Sequence, residues 1–299
     1  MWNSIVFEIK TMINKKGFCT SFIVMLVFSL FSFVVCASRS WGEELSQVLS
    51  ADSQFMGNAY SPTWYFFTYL FSFIIVLPHS LSYITDLELG TYSVIVVRSG
   101  KKQYLVSKIF ATFIGNFVLI TIPFLVNLIL CHLTFSNEPN FIFGEYGLPN
   151  YFRTIMGTNY VFSAFQKEIP FLPIFLLSPT LYNILYILIL GFASGIFGVL
   201  VLSISFIFSK RRAYLFAPVY LLMPLTSVLS EYSYSKAVNN PGQVFINFDL
   251  MDYLAAFGYP GKSALYIAIL LVISLAFCIA TFIKALYNDQ LIFEGNNEK

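Results

Sequence analysis

The sequence predicts an all-α integral membrane protein. Of its 299 residues, 58% are hydrophobic and only 11% are charged, whereas charged residues make up about 25% of an ordinary soluble domain. The mean hydropathy is +0.75, and the chain contains repeated apolar runs of about 20 residues, the length at which a helix crosses a bilayer. Spans and their connections use nearly the whole chain, so residues 1–299 are predicted to be a single transmembrane domain.

Residues 1–16 predict an amphipathic helix that lies in the membrane interface. A helix with one apolar face and one charged face rests in the interface plane instead of crossing it. The apolar face is predicted to contain Trp2, Ile5, Val6, Ile9, Met12 and Ile13, with Glu8, Lys10, Asn14 and Lys15 elsewhere. The apolar run that follows, residues 17–37, has features of a signal peptide, but the later spans favour a retained signal anchor.

The apolar runs predict six transmembrane helices. They cover approximately residues 17–37, 64–84, 104–131, 180–208, 214–230 and 264–287. The fifth is short and contains Pro218 and Pro224, which a kink or tilt within a bundle accommodates. Two more stretches, Ile169–Leu177 and Val244–Phe257, are apolar but too short to span, and we expect interfacial or re-entrant segments there.

The distribution of Lys and Arg predicts that both termini are cytoplasmic. Connections rich in these residues stay on the inner side of a membrane. With the N-terminus inside, that side holds Lys10, Lys15, Lys16, Arg98, Lys101, Lys102, Lys108, Lys210, Arg211, Arg212, Lys284 and Lys299. The outer loops 38–63, 132–179 and 231–263 are longer but hold only Arg39, Arg153, Lys167, Lys236 and Lys262. We therefore expect a multi-pass protein of the cell membrane with residues 85–103 in the cytosol.

Composition and motifs argue against several classes of protein. The net charge of +2 is small and no basic cluster is interleaved with aromatic residues, so no nucleic-acid partner is expected. Neither an HExxH zinc motif nor a GxSxG nucleophile elbow occurs, and we expect no enzyme activity, metal or cofactor. The four cysteines, Cys19, Cys36, Cys131 and Cys278, lack metal-ligand spacing and are predicted to be small buried hydrophobes.

One stretch, AFGYPGKS at residues 256–263, matches a loose phosphate-binding loop. Such a loop needs a preceding strand and a helix N-terminus that is exposed to nucleotide. Here it follows an apolar loop and opens the sixth predicted span on the outer side. We interpret Gly258, Pro260 and Gly261 as the turn into that helix, and any ATP hydrolysis must come from another subunit.

Polar residues near the span ends can be interpreted as structural or as functional groups. His79 follows Pro78, and we expect its imidazole to bond a backbone carbonyl freed by the proline; the alternative is a proton-transfer or gating role. Asp249 and Asp252 lie three residues apart and are expected to be solvated or interfacial carboxylates. No acidic residue lies deep inside a predicted span, which argues against a proton- or sodium-coupled transporter.

Small residues in the fourth predicted span indicate close helix contact. Gly191 and Gly195 form a GxxxG pair, and Ser194 and Gly198 repeat the same spacing. Small residues at this spacing allow two helix backbones to approach closely. The stripe therefore predicts either packing within the bundle or an interface between protomers.

The segment DLELGTYSVIVVRSGKKQYLVSK, residues 86–108, is a charged and glycine-punctuated connection between the second and third spans. Gly90 permits a sharp turn, and Thr91–Val97 is a short apolar run. Its β-branched residues are compatible with a strand, but a lone strand here has no partner. We therefore expect a short helix along the cytoplasmic surface.

This pattern resembles the ABC-2 type permeases of ATP-binding-cassette transporters. In that family the second span is followed by an acidic residue, a Gly-Thr pair, a short apolar helix, a basic or polar turn and a Lys at the start of the third span. This chain has Glu88, Gly90-Thr91, Tyr92–Val97, Arg98-Ser99-Gly100 and Lys108 in that order. The N-terminal interfacial helix, the six spans and the cytoplasmic termini agree, so the resemblance covers most of the chain.

The resemblance implies a permease subunit of an exporter that works with cytosolic ABC ATPase subunits and a second permease copy or paralogue among membrane lipids. The segment 85–103 would be a coupling helix that docks on the ATPase, with Asp86, Glu88, Gly90, Thr91, Arg98 and Gly100 as its site residues. Re-entrant helices between the last two spans would correspond to Val244–Phe257. The long connection 133–179 departs from the short loop of many members.

The expected cargo is amphipathic or hydrophobic, such as a peptide, an antibiotic or a lipid-linked molecule, because the spans are rich in aromatic residues. Lipid-facing and interfacial aromatic residues explain the same composition. Two other readings remain open: a membrane sensor or immunity protein that binds a peptide without transport, and a multi-spanning enzyme that modifies lipids.

Overall fold

The computed structural model describes residues 2–43, 48–58, 61–136, 171–206, 213–239, 247–256 and 264–287. Throughout these ranges the regular secondary structure is helical. The helices are α1 (Trp2–Ile13), α2 (Lys16–Arg39), α3 (Ala51–Gln54), α4 (Trp64–Val76), α5 (Ser82–Glu88), α6 (Thr91–Ser99), α7 (Lys101–Thr134), α8 (Leu172–Leu177), α9 (Pro179–Ser205), α10 (Ala213–Asn239), α11 (Leu250–Leu254) and α12 (Ala264–Tyr287). Much of the predicted loop 132–179, residues 207–212, most of AFGYPGKS and the final residues lie outside the described ranges.

Three helices within the described residues, α2, α7 and α9, are long and apolar enough to cross a membrane. With 34 residues, α7 is about 51 Å long at 1.5 Å per residue. It therefore exceeds the roughly 30 Å hydrocarbon layer of a bilayer. The all-helical, membrane-type fold predicted from the sequence is confirmed at this level.

The centre of the fold is the antiparallel pair of α7 and α9, and small residues allow their close contact. Gly191, Gly195 and Gly198 face the α7 side chains Thr121, Phe113 and Asn116 so closely that an added Cβ would collide with them. The hydroxyl of Ser194 donates to the carbonyl oxygen of Asn116 at 3.0 Å. All four small residues are buried within the chain, so this stripe packs α9 on α7 and is not an exposed surface for a second copy.

The second predicted span, 64–84, is broken in the structure. The helix α4 ends at Val76, a turn follows, and α5 begins at Ser82. Pro78 explains the break, because proline has no N–H to donate and its ring clashes with the preceding helical turn. The hydroxyl of Ser80 donates to the carbonyl oxygen of Ile75 at 3.1 Å, which satisfies one of the groups freed by the turn.

Other boundaries also differ from the predicted ones. The helix α10 continues to Asn239, whereas the fifth span was predicted to end at residue 230. The apolar stretch Val244–Phe257 contains the short helix α11, and Leu250, Met251, Tyr253 and Leu254 are buried there. Asp249, expected to be a solvated or interfacial carboxylate, is half-buried and accepts hydrogen bonds from the hydroxyl of Ser227 at 2.5 Å and from the backbone N–H of Met251 at 2.9 Å.

The bundle has two ends, which we name by their contents. The α6 end contains α1, α6 and the start of α7; the far end contains α3, α11 and the last turn of α7. At the α6 end, the amino group of Lys101 donates to the carbonyl oxygen of Leu286 at 3.1 Å. The close of α12 and the N-terminal helix therefore lie at the same end of the molecule.

The face of α1 that packs on the bundle includes only part of the predicted apolar face. Ile5, Glu8 and Met12 are buried, while Trp2 is 74% exposed. Met12 fits against Gly115 of α7, where an added Cβ would collide with its sulfur. Glu8, which the sequence places off the apolar face, is buried inside the bundle against Lys108 and His79.

Candidate functional site

The helix α6 is bounded by two glycines whose backbones only glycine adopts without strain. Gly90 has φ 68° and precedes the helix, and Gly100 has φ 80° and follows it. In this left-handed region a Cβ meets the neighbouring carbonyl oxygen. The two glycines therefore make the sharp turns by which α6 leaves α5 and enters α7.

One face of α6 is exposed and combines apolar with charged groups. Val97 is 86% exposed, and Leu89 and Val94 are also exposed. Arg98 is exposed on the same helix, and Glu88 and Leu89 are exposed at the end of α5, just before the turn at Gly90. We call these five side chains, Glu88, Leu89, Val94, Val97 and Arg98, the α6 surface.

The opposite face of α6 is fixed to the bundle by aromatic contacts. Tyr92 is buried, and its ring meets that of Tyr83 at 5.7 Å and that of Tyr104 at 5.4 Å, both in edge-to-face arrangement. Such pairs stabilise by about 0.5–1.5 kcal/mol beyond the burial of their area. Tyr83 lies on α5 and Tyr104 on α7, so Tyr92 fixes α6 to the helices on both sides.

Directly behind α6 is a buried charge cluster, which we define as Glu8, Asp86 and Lys108. The Lys108 Nζ lies 2.7 Å from Asp86 Oδ2 and 3.0 Å from Glu8 Oε2. The Lys108 side chain is 2% exposed. A buried ammonium is tolerated only when it is paired and hydrogen-bonded. One lysine of α7 therefore connects α1 with the end of α5.

Asp86 also connects α7 to the start of α6. The Tyr104 hydroxyl donates to Asp86 Oδ2 at 2.7 Å, and the Thr91 hydroxyl donates to the Asp86 backbone oxygen at 3.2 Å. The Lys108 Nζ also lies over the Tyr104 ring, 5.3 Å from its centroid. These contacts fix the turn at Gly90 relative to α7.

His79 occupies the turn between α4 and α5. Its Nε2 lies 3.4 Å from Glu8 Oε2, with the imidazole fully buried. The expectation that it bonds a freed backbone carbonyl was wrong, because neither ring nitrogen donates to a backbone carbonyl within the described residues, and the carbonyl oxygen of Ile75 is bonded by Ser80 instead. Burial opposes ionisation of Glu8, but the contacts with His79 and Lys108 outweigh it and hold the pKa of the Glu8 carboxyl below its usual value.

The predicted site residues thus divide into two groups. Glu88 and Arg98 are exposed on the α6 surface, whereas Asp86 is buried behind it. Gly90 and Gly100 form the turns, and Thr91 bonds the backbone at one of them. Sequence reasoning missed Glu8 and the role of Lys108 as its partner. The spacing offered one signal: Glu8 lies three residues after Ile5 and four before Met12, so it shares a helix face with both.

A scan of protein-family models, a search of curated proteins and a search of solved structures each gave no match to this chain.

Proposed function

We propose that this chain is the permease subunit of an ATP-driven ABC exporter and that the α6 surface docks on a separate cytosolic ATPase subunit. The observation that carries the proposal is the construction of α6. It is an exposed helix between two positive-φ glycines, and on its hidden face Tyr92 packs against Tyr104 of α7, the helix that crosses the whole bundle.

The proposed topology has six spans with both termini in the cytosol. The three long apolar helices α2, α7 and α9 supply three of them, and α4 with α5, α10 and α12 supply the others. Lys101 at the α6 end bonds Leu286 near the end of α12, which supports placing both termini on the same side of the membrane. The cationic groups Arg98, Lys101 and Lys102 at this end favour the cytosolic side.

The α6 surface has the character of a protein interface. It contains the exposed apolar residues Leu89, Val94 and Val97, and Glu88 and Arg98 border them along the chain. Interfaces commonly have an apolar core within a polar rim. An exposed apolar patch of this kind favours burial against another protein, and we assign that partner as the ATPase subunit.

The contacts of α6 could transmit its displacement to α7. Closure of two ATPase subunits on ATP would bring together the α6 helices of two permease subunits. Thr91 of α6 is bonded to Asp86, and Asp86 is bonded to Tyr104 and Lys108 of α7. Because of these bonds, a displacement of α6 would move the first turns of α7. The ATPase must bind the two positions of α6 with different free energies for ATP to drive this change.

The cargo class that we propose is an amphipathic or hydrophobic molecule, such as a peptide, an antibiotic or a lipid-linked compound. The support is an apolar cavity of about 250 Å³ between α7, α9 and α12. Its lining includes Phe110, Phe113 and Leu275.

Co-purification tests the proposal. The tagged chain is co-expressed with the ATPase encoded beside its gene, solubilised in detergent and purified, and the retained ATPase is quantified. We expect near-stoichiometric retention, and Val97→Glu should lower it at least about tenfold because a charge replaces an apolar anchor. Trp41→Glu is the matched control, since Trp41 is 88% exposed at the far end.

Equal retention by Val97→Glu and the unchanged chain would contradict docking at α6. Retention of no ATPase by either protein, together with specific binding of a peptide, would instead support the sensor or immunity reading.

A further inference from the structure

At the far end, residues 50–58 fold back into the bundle after α2 and before α4; we call them the plug. The plug contains the four-residue helix α3 and the turn that follows it. It is buried along most of its length, including Ala51, Asp52, Phe55, Met56 and Asn58. A connection buried to this degree needs internal partners for its backbone polar groups.

The plug reaches well below the end of α7. The backbone N–H of Met56 donates to Asn127 Oδ1 at 3.0 Å, and the ring of Phe55 meets that of Phe124 at 6.0 Å. Asn127 lies seven residues before Thr134, the last residue of α7, which corresponds to about 10 Å at 1.5 Å per residue. The plug therefore lies between the helices and does not rest on their ends.

Asp52 fastens the plug to both central helices. The Thr180 hydroxyl of α9 donates to Asp52 Oδ2 at 3.1 Å, and the Asn183 amide donates to Asp52 Oδ1 at 2.9 Å. From α7, His132 Nε2 lies 3.3 Å from Asp52 Oδ1. The carboxylate is largely buried, so loss of these partners would leave it without hydrogen bonds and destabilise the closed arrangement.

A second segment meets the plug from the opposite side. The backbone N–H of Ala256, just after α11, donates to the carbonyl oxygen of Gly57 at 2.8 Å. The segment before α11 is itself bonded to α10, because the Ser230 hydroxyl donates to Asn247 Oδ1 at 2.7 Å. The two inserted segments therefore meet at Gly57 and Ala256.

We propose that the plug is a gate at the far end and that Asp52 is its latch. Because its partners lie on α7 and α9, any motion that separates these helices breaks the latch. The same α7 carries Lys108 behind α6 and His132 at the latch, about 36 Å apart at 1.5 Å per residue. The assignment of this gate to the exit side of an export route rests on the proposed function.

The cysteines beneath the plug provide a built-in reporter. Cys36 Sγ and Cys131 Sγ lie 3.5 Å and 3.7 Å from the backbone oxygen of Gln54. Cys131 is 0% exposed, so a charged thiol reagent in water reaches it only when the plug moves. Cys278 lies in the apolar cavity between α7, α9 and α12 and reports loss of the bundle itself.

The test measures labelling of each cysteine by a membrane-impermeant sulfonated maleimide added to intact cells, with the sites resolved by mass spectrometry of the full-length chain. We expect Asp52→Ala to raise the labelling rate of Cys131 at least about tenfold, as the lost hydrogen bonds imply. Cys278 should remain protected. Glu43→Ala is the matched control, because Glu43 is an exposed carboxylate at the same end and should leave the rate unchanged.

Thr180→Val is the milder variant and removes one donor to Asp52. If Asp52→Ala also exposes Cys278, the bundle has opened as a whole and that variant cannot test the gate. Thr180→Val is then the test: faster labelling of Cys131, with Cys278 still protected, supports the gate. The gate proposal is overturned if Thr180→Val leaves the labelling rate of Cys131 unchanged and if Asp52→Ala also leaves it unchanged whenever Cys278 stays protected.

A second arm separates this proposal from the function on which its direction rests. The unchanged chain is labelled in right-side-out vesicles, loaded with ATP and containing the ATPase encoded beside its gene. ATP-dependent acceleration at Cys131 supports both proposals. Acceleration by the latch variants without any effect of ATP supports the gate and contradicts ATP-driven transport.

Discussion

Lys108 Nζ lies 2.7 Å from Asp86 Oδ2, within a part of the bundle where the lysine side chain is 2% exposed. The same ammonium contacts Glu8 at 3.0 Å, so one buried cation is shared by two carboxylates from different helices. Removal of one partner from a buried ion pair costs about 3–5 kcal/mol, because an uncompensated charge remains. The region behind α6 is therefore sensitive to single charge changes.

Lys108→Ala should destabilise the protein strongly. We expect a loss of about 3–5 kcal/mol, which corresponds to a fall in Tm of roughly 10 °C for a chain of this size. Thermal unfolding of the detergent-solubilised protein measures it. Lys102→Ala is the control, since Lys102 is exposed on the first turn of the same helix.

The double variant Lys108→Met with Glu8→Gln separates a charge effect from a packing effect. It removes the cation together with one of the two carboxylates, so it should recover part of the lost Tm. A double variant no more stable than Lys108→Met alone would show that repulsion between the carboxylates is not the cause.

The ionised form of Glu8 should stabilise the fold in a defined pH range. Its carboxyl has an ordinary pKa of 4.5, and the folded protein holds the pKa below this value despite burial, through His79 and Lys108. A lowered folded pKa means that the stabilisation is present above pH 4.5 and is lost as the pH falls through the folded value. Glu8→Gln should therefore lower Tm at pH 7, with the difference shrinking in acid.

The measurement compares Tm for Glu8→Gln and the unchanged chain from pH 7 down to pH 4. Glu43→Gln, an exposed carboxylate at the far end, should show little difference at any pH. A Tm difference for Glu8→Gln that stays constant across the range would contradict the assigned pKa direction.

Apolar run length and glycine position sufficed to predict much of the fold. The long helices α2, α7 and α9 contain the predicted spans 17–37 and 104–131 and most of 180–208. Gly90 and Gly100 were predicted as breaks and have positive φ values. These features are local, because they depend on hydrophobicity along one segment or on the backbone preference of one residue.

Contacts between distant segments could not be predicted in the same way. Glu8 reads as a residue of the solvated face when only α1 is considered, and its burial depends on Lys108, far along the chain. Asp52 reads as a loop residue, and its role at the far end depends on Asn183. Both are cases in which a buried polar group is determined by partners that sequence spacing does not reveal.

Gly90→Ala should combine a modest loss of stability with a loss of ATPase docking. There is open space around Gly90, so the cost arises from the left-handed backbone alone and amounts to about 1 kcal/mol. Relief of that strain would change the direction in which α6 leaves α5 and would displace the α6 surface. Gly42→Ala is a matched control, because Gly42 also has a positive φ and open space around it, but it lies near the end of α2.

Both variants should lose similar stability in thermal unfolding, and only Gly90→Ala should lose retained ATPase in the co-purification experiment. Equal retention by both variants would show that the exit angle of α6 does not matter for docking.

Gly195→Ala should weaken the contact between α7 and α9. A Cβ at this position would lie 2.7 Å from the Phe113 ring and 3.1 Å from its backbone oxygen, so the helices must separate or the ring must move. Overpacking of this kind costs about 1–3 kcal/mol. Ala193→Gly is a useful comparison, because it changes the same helix by one methyl group in the opposite direction at a buried site.

If α7 and α9 also hold the latch at Asp52, Gly195→Ala should accelerate labelling of Cys131, whereas Ala193→Gly should lower Tm without that acceleration. Unchanged Cys131 protection in a Gly195→Ala protein with reduced Tm would show that the spacing of the two helices at their middle is not transmitted to the far end.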